Sequence, residues 1–83
     1  MKYSLRIIPA AEREMRNLPP LTLRRVHLRI LRLQENPFAP GTRKLSKRLG
    51  YRVRVGGYRI IFTVEDNRTV VITAVRHRRD AYR

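Results

Sequence analysis

Hydrophobic and polar residues alternate along this chain with two periods, and each change of period marks an element. Residues 2–8 (Lys-Tyr-Ser-Leu-Arg-Ile-Ile) alternate loosely, as in a strand whose successive side chains face opposite ways, and Pro9 ends the run. From Ala10 to Leu18 the spacing becomes helical: Ala11, Met15 and Leu18 share one stripe, and Glu12 and Glu14 sit early, where the helix dipole favours acids. Pro19-Pro20 breaks that helix, and the second proline suits the opening of the next, because its missing N–H would have been unpaired there. Leu21 to Glu35 carries the strongest helical pattern, with an apolar seam of Leu23, Val26, Ile30 and Leu33. Leu28 and Leu31 lie off that seam, so the apolar surface is wider than one sheet contact needs. Asn36-Pro37 stops the helix, and Phe38 to Leu49 reads as a loop rich in Pro, Gly and basic residues.

The remainder has the period of strands. Tyr51–Val55, Tyr58–Glu65 and Thr69–Arg76 predict a meander joined at Gly56-Gly57 and at Asp66-Asn67, with or without Arg68. A two-residue Gly56-Gly57 loop pairs Val55 with Tyr58, Arg54 with Arg59, Val53 with Ile60 and Tyr51 with Phe62. One face is then apolar, and the other presents Arg52, Arg54 and Arg59 together. At the second turn, a two-residue loop puts Arg76 on the Arg59 face and a three-residue loop reverses it. The expected architecture is α+β: an N-terminal strand and a helical hairpin packed on a mainly antiparallel, four-stranded sheet, with a short C-terminal turn or helix.

Length and composition narrow the setting. The 83 residues predict a single domain spanning 1–83, small enough to draw part of its stability from a partner. There is no cysteine, hence no disulfide framework or thiolate metal site, and no residue pattern suggests a metal or a cofactor. No apolar run approaches a membrane span, and the first residues lack the apolar core of a signal peptide, so the expectation is a cytoplasmic protein without a membrane partner.

Charge changes the picture most. Twenty Lys plus Arg against six Asp plus Glu give +14, and residues 43–83 hold 12 of those bases with 3 of the acids. Seventeen of the bases are arginine, whose planar fork matches phosphate oxygens and stacks on bases. Like charges placed side by side repel, so a fold that gathers them suits a polyanionic ligand. Arg43, Lys44, Lys47 and Arg48 in the loop serve either solubility or the tethering of nucleic-acid phosphates, and Arg76, Arg79 and Arg83 near the tail are further candidates for the latter. The polar edge formed by Arg25, Arg29 and Arg32 reads as a solvated helix flank or a contact for a polyanion.

Two stretches carry a family likeness: Gly50-Tyr51-Arg52-Val53-Arg54-Val55-Gly56-Gly57-Tyr58-Arg59-Ile60-Ile61-Phe62, and Ala74-Val75-Arg76-His77-Arg78-Arg79-Asp80-Ala81-Tyr82-Arg83. Together they resemble the RelE/ParE superfamily of bacterial and archaeal toxins, and the order of the predicted elements fits along nearly the whole chain. The resemblance implies a RelE-type endoribonuclease that cuts messenger RNA in the ribosomal A site. In that chemistry the 2′-hydroxyl attacks the adjacent phosphate, leaving a cyclic phosphate and a 5′-hydroxyl, with no metal. It further implies active-site groups at Arg52, Arg54, Arg59 and Arg78, with an aromatic partner at Tyr82. Implied partners are the ribosome with its mRNA and rRNA, and a cognate antitoxin forming a hetero-oligomer with the toxin. Leu28 and Leu31 are candidates for the antitoxin's contact.

The chain departs from that pattern where the best-known RelE-type enzyme has two lysines, because Arg52 and Arg54 stand there instead. A guanidinium keeps its proton and is a poor general base. By residue type, His77 is the alternative base, against the plainer reading of a structural hydrogen-bonding imidazole. Arg76 is a second departure, since many relatives have glycine. Tyr82 has a packing role as its plainer reading. Two other function classes stay open: a ParE-type toxin that inhibits DNA gyrase by protein contact, and a basic RNA-binding module without catalysis.

Overall fold

Prolines and glycines set the boundaries of the elements, and apolar faces decide how they stack. The computed structural model of the chain describes residues 2–77 and residue 79. The elements run β1 (Ser4–Ile7), α1 (Pro9–Arg16), α2 (Pro20–Glu35), β2 (Arg43–Lys44), β3 (Tyr51–Val55), β4 (Tyr58–Glu65) and β5 (Thr69–His77). The expected C-terminal turn or helix lies outside the described residues. Each helix has proline in its first turn, where no N–H is needed. Pro9 therefore both ends the strand pattern and opens α1.

The sheet order is β1-β5-β4-β3-β2, with β1 parallel to β5 and every other pair antiparallel. The fifth strand differs from the four-stranded expectation. It is β2, which pairs Arg43 with Arg52 and Lys44 with Tyr51 inside the segment that reads as loop. Two residues are too few to carry a period, so only the neighbouring edge of β3 makes them a strand.

Both helices cover the same sheet face. Ala11 and Met15 of α1 and Val26, Ile30 and Leu33 of α2 pack on Val53, Val55, Ile60, Phe62, Val70, Ile72 and Val75, with Leu18 and Leu23 half-buried at the margin. The predicted stripes are thus the buried ones. Leu28 and Leu31, off the seam, remain 54% and 45% exposed.

The first hairpin has the predicted register, from Val55 opposite Tyr58 to Tyr51 opposite Phe62, and Gly56 takes the positive φ (59°) that a tight two-residue turn requires. The second connection combines features of both alternatives. Asp66 and Asn67 adopt left-handed backbone (φ 53° and 55°), the Arg68 N–H donates to the Glu65 carbonyl at 2.9 Å, and Glu65 pairs with Thr69. The loop is therefore three residues long. The register then shifts between Phe62, opposite Ile72, and Ile61, opposite Ala74, so Thr73 is an extra residue in β5. The Thr73 hydroxyl donates to the Ile61 carbonyl at 3.2 Å, bridging the break in the ladder. Because side chains alternate, this bulge reverses every face beyond it: Arg76 now stands opposite Arg59, and His77 opposite Tyr58.

Beyond Ile72, β5 has no β1 residue beside it, and α1 covers the exposed edge. Glu14 accepts the Val75 backbone N–H at 3.0 Å through one oxygen and the Arg76 Nε–H at 2.7 Å through the other. One carboxylate thus satisfies a strand-edge donor and pins α1 to β5. Replacing Glu14 with Ala should lower stability by roughly 1–3 kcal/mol, because Val75 N–H and Arg76 both lose their acceptor. Glu14→Gln, which keeps an oxygen for the backbone, should recover about half of that loss. Urea unfolding of the three proteins measures it, and equal stability would show the clamp to be idle.

Candidate functional site

The face away from the helices gathers the arginines. In β3 the pleat sends Val53 and Val55 into the core and Arg52 and Arg54 to the other side. Across the ladder, Arg43 lies opposite Arg52, Arg54 opposite Arg59, and Arg59 opposite Arg76. Five guanidinium-bearing residues from four adjacent strands therefore share one surface. Neighbouring charges at that spacing repel by roughly 1–3 kcal/mol before screening by salt. Of the described carboxylates in ion pairs, Glu14 reaches this surface, through Arg76, while Glu12 pairs with Arg16 and Glu65 with Arg6.

The arginines differ in setting. Arg59, on the central strand, is 3% exposed, Arg52 and Arg76 are half-buried, and Arg54 and Arg43 are exposed. Arg76 is partly neutralised by Glu14. Beside them, Ile61, Ala74 and Leu45 form a small apolar floor on the same face. Charged donors along a dry floor suit a ligand with anionic links and flat, apolar units between them.

His77 does not join this group. Its ring meets Tyr58 edge-on at 5.3 Å on the opposite side of the sheet, and its Nδ1 accepts the Arg79 N–H at 3.3 Å. Lys44, Lys47 and Arg48 are exposed around β2, and Arg79 is exposed after β5. Arg78, Tyr82 and Arg83 lie outside the described residues. Among the described residues, no three His, Cys, Asp or Glu side chains are grouped so as to hold a metal ion.

A residue that the sequence pattern leaves open between solvated helix flank and polyanion contact also enters the site. Arg29 of α2 joins Gly41, Arg43, Arg52, Val53 and Arg54 around a cleft of about 460 Å³ at the β3 edge. Its place on the helix gave no local signal, because the loop that meets it is unpatterned.

Comparisons with known proteins agree with this architecture. Residues 5–82 match the family described as ParE toxin of type II toxin-antitoxin system, parDE. The toxin RelG of Mycobacterium tuberculosis is 34% identical over 87 aligned positions, spanning 100% of this chain and 99% of that protein. The crystal structure of the toxin-antitoxin complex RelBE2 from the same organism contains a chain 29% identical, with a TM-score of 0.82, covering 94% of this chain and 100% of that one. The archaeal RelE-RelB complex from Pyrococcus horikoshii contains a chain with the same fold, at 24% identity and a TM-score of 0.78, covering 94% of this chain and 97% of that one.

If the arginine face is held against its own repulsion, removing one exposed member should stabilise the free protein. Arg54→Gln is expected to raise unfolding free energy by roughly 0.2–1 kcal/mol at low ionic strength, with the gain fading in molar salt. Denaturant titrations at two salt concentrations test this. A loss of stability at low salt would mean that Arg54 is there for packing.

Proposed function

Since this chain belongs to the RelE/ParE toxin superfamily of type II toxin-antitoxin systems, we propose that it is a RelE-type endoribonuclease acting on messenger RNA in the ribosomal A site. The observation that supports this reading is the row Arg52, Arg54, Arg59 and Arg76 on the face away from α1 and α2, beside an apolar floor. Attack of a 2′-hydroxyl on the adjacent phosphate concentrates negative charge on the non-bridging oxygens, and fixed guanidinium groups stabilise that charge more than they stabilise the ground state. Arg52 and Arg59 grip the phosphate, and Arg54 steadies the oxygen of the ionising 2′-hydroxyl. The new bond joins that oxygen to phosphorus as the bond to the 5′-oxygen breaks, and Arg78 neutralises the departing oxygen or protonates it, with solvent as the final proton source, to give the 5′-hydroxyl. Tyr82 stacks on a base and holds the nucleotide splayed for in-line attack.

Among the described residues, no carboxylate or imidazole lies opposite Arg52, Arg54 or Arg59 in the strand register, and His77 faces the other way. In this reading charge stabilisation and positioning supply much of the rate, and the nucleophile's proton leaves to solvent. The wider basic surface, including Lys44, Lys47, Arg48 and Arg79, engages the RNA of the ribosome through its phosphates.

The partner in this reading is a cognate antitoxin, acidic or amphipathic, that covers the basic face and forms a hetero-oligomer with the toxin. The exposed Leu28 and Leu31 give an amphipathic helix an apolar foothold on α2. Replacing both with Ala should weaken the toxin-antitoxin complex by roughly tenfold or more in an equilibrium titration, and unchanged affinity would remove them from the interface.

Programmed ribosomes and, separately, DNA gyrase provide the discriminating assay. Cut message ending in a 5′-hydroxyl supports the nuclease, gyrase inhibition supports the ParE-type reading that the family description itself names, and RNA binding alone supports a non-catalytic module. In the nuclease, Arg59→Ala and Arg78→Ala should each reduce single-turnover cleavage by roughly tenfold or more, with circular dichroism confirming that the variants fold. Full activity in either variant takes that residue out of the mechanism.

A further inference from the structure

The cleft at the open edge of β3 has an arrangement that a solvated helix flank does not need. β2 begins at Arg43 and pairs only with Arg52 and Tyr51, so the β3 edge is uncovered beside Arg54. Upstream of β2 the chain turns away at Gly41, whose φ is 103°. Arg29 reaches down from α2 into the gap, and its Nη2 donates to the Pro40 carbonyl at 3.4 Å. A Cβ at position 41 would stand only 2.7 Å from that same nitrogen, so the bare glycine admits the guanidinium. Arg29 Nε is buried without a hydrogen-bond partner among the described residues. Three independent segments thus bring Arg29, Arg43, Arg52 and Arg54 around a single opening.

We infer that this cleft is a second phosphate subsite, in which Arg29 and Arg43 hold the backbone phosphate of a nucleotide flanking the one gripped by Arg52 and Arg59. The inference rests on the RNA-cleaving reading for the identity of the ligand, a single-stranded phosphodiester, but its geometry does not depend on catalysis. Arg52 and Arg54 lie two residues apart on β3, a separation of about 7 Å that resembles the spacing of successive phosphates along an extended strand. They are shared between the two subsites, and Arg29 completes the outer one. An anchored flanking phosphate fixes the register of the message on the sheet, which positions the reacting ribose.

The test is equilibrium binding of a fluorescent 2′-O-methyl RNA hexanucleotide, which has no free 2′-hydroxyl to react, across a range of salt concentrations. Arg29→Gln should weaken binding about fivefold at low salt and flatten the salt dependence by about 0.7, the increment for one phosphate contact on a single strand. Arg13→Gln removes the same charge from α1, against β5 near the other side of the sheet, and should leave the slope unchanged. Gly41→Ala keeps the charge of the chain while displacing the Arg29 guanidinium, and should reproduce part of the loss; circular dichroism identifies a variant that fails to fold. Equal effects of Arg29→Gln and Arg13→Gln, or no hexanucleotide binding by the parent protein, would overturn the subsite. So would a loss of antitoxin affinity in Arg29→Gln with unchanged RNA binding. Absence of ribosomal cleavage together with the Arg29-specific slope would instead overturn the nuclease reading and leave the subsite standing.

Discussion

Mutual repulsion among guanidinium groups at strand spacing is the constraint around which this protein is arranged. The ladder places Arg43, Arg52, Arg54, Arg59 and Arg76 on one face, at distances set by backbone hydrogen bonds. The opposing cohesion comes from the other face, where Val53, Val55, Ile60, Phe62, Val70, Ile72 and Val75 are sealed by two helices. The sheet thus has one apolar and one cationic face, and like charges gathered on one face raise the local positive potential.

The carboxylates support that division of labour. Glu14 is spent on the β5 edge and on Arg76, Glu12 on its own helix, and Glu65 on Arg6 of β1, at the far end of β4. Arg76 is held in place by its partner, whereas Arg54 projects into solvent with its charge uncompensated by these pairs. The same surface therefore contains fixed and responsive positive charge. His77 stands apart from it, on the opposite side of the sheet.

Much of this was legible in the chain. The helices, the three strands of the meander, the core stripes and the Arg54–Arg59 pairing all follow from short-range periods and from Gly56-Gly57, because a two-residue turn fixes its register locally. Two features were not. β2 exists only because the β3 edge accepts it, and Arg29 joins the arginine cleft only because Gly41, twelve residues later, leaves room for it. Neither relation has a signature in any local window.

What the amino-acid order determined by itself is the identity of the two surfaces: which residues shun water, which carry charge, and how one hairpin aligns them. What the tertiary structure alone decided is which tail residues stand beside them. Counting from the three-residue turn would have put His77 on the arginine face and Arg76 beneath the helices. The single extra residue Thr73, accommodated between Phe62 and Ile61, exchanges the two. A bulge is chosen by the fit of two strands against their neighbours, here with α1 and Glu14 waiting at the edge, and that competition between long-range contacts is not written in the period of either strand.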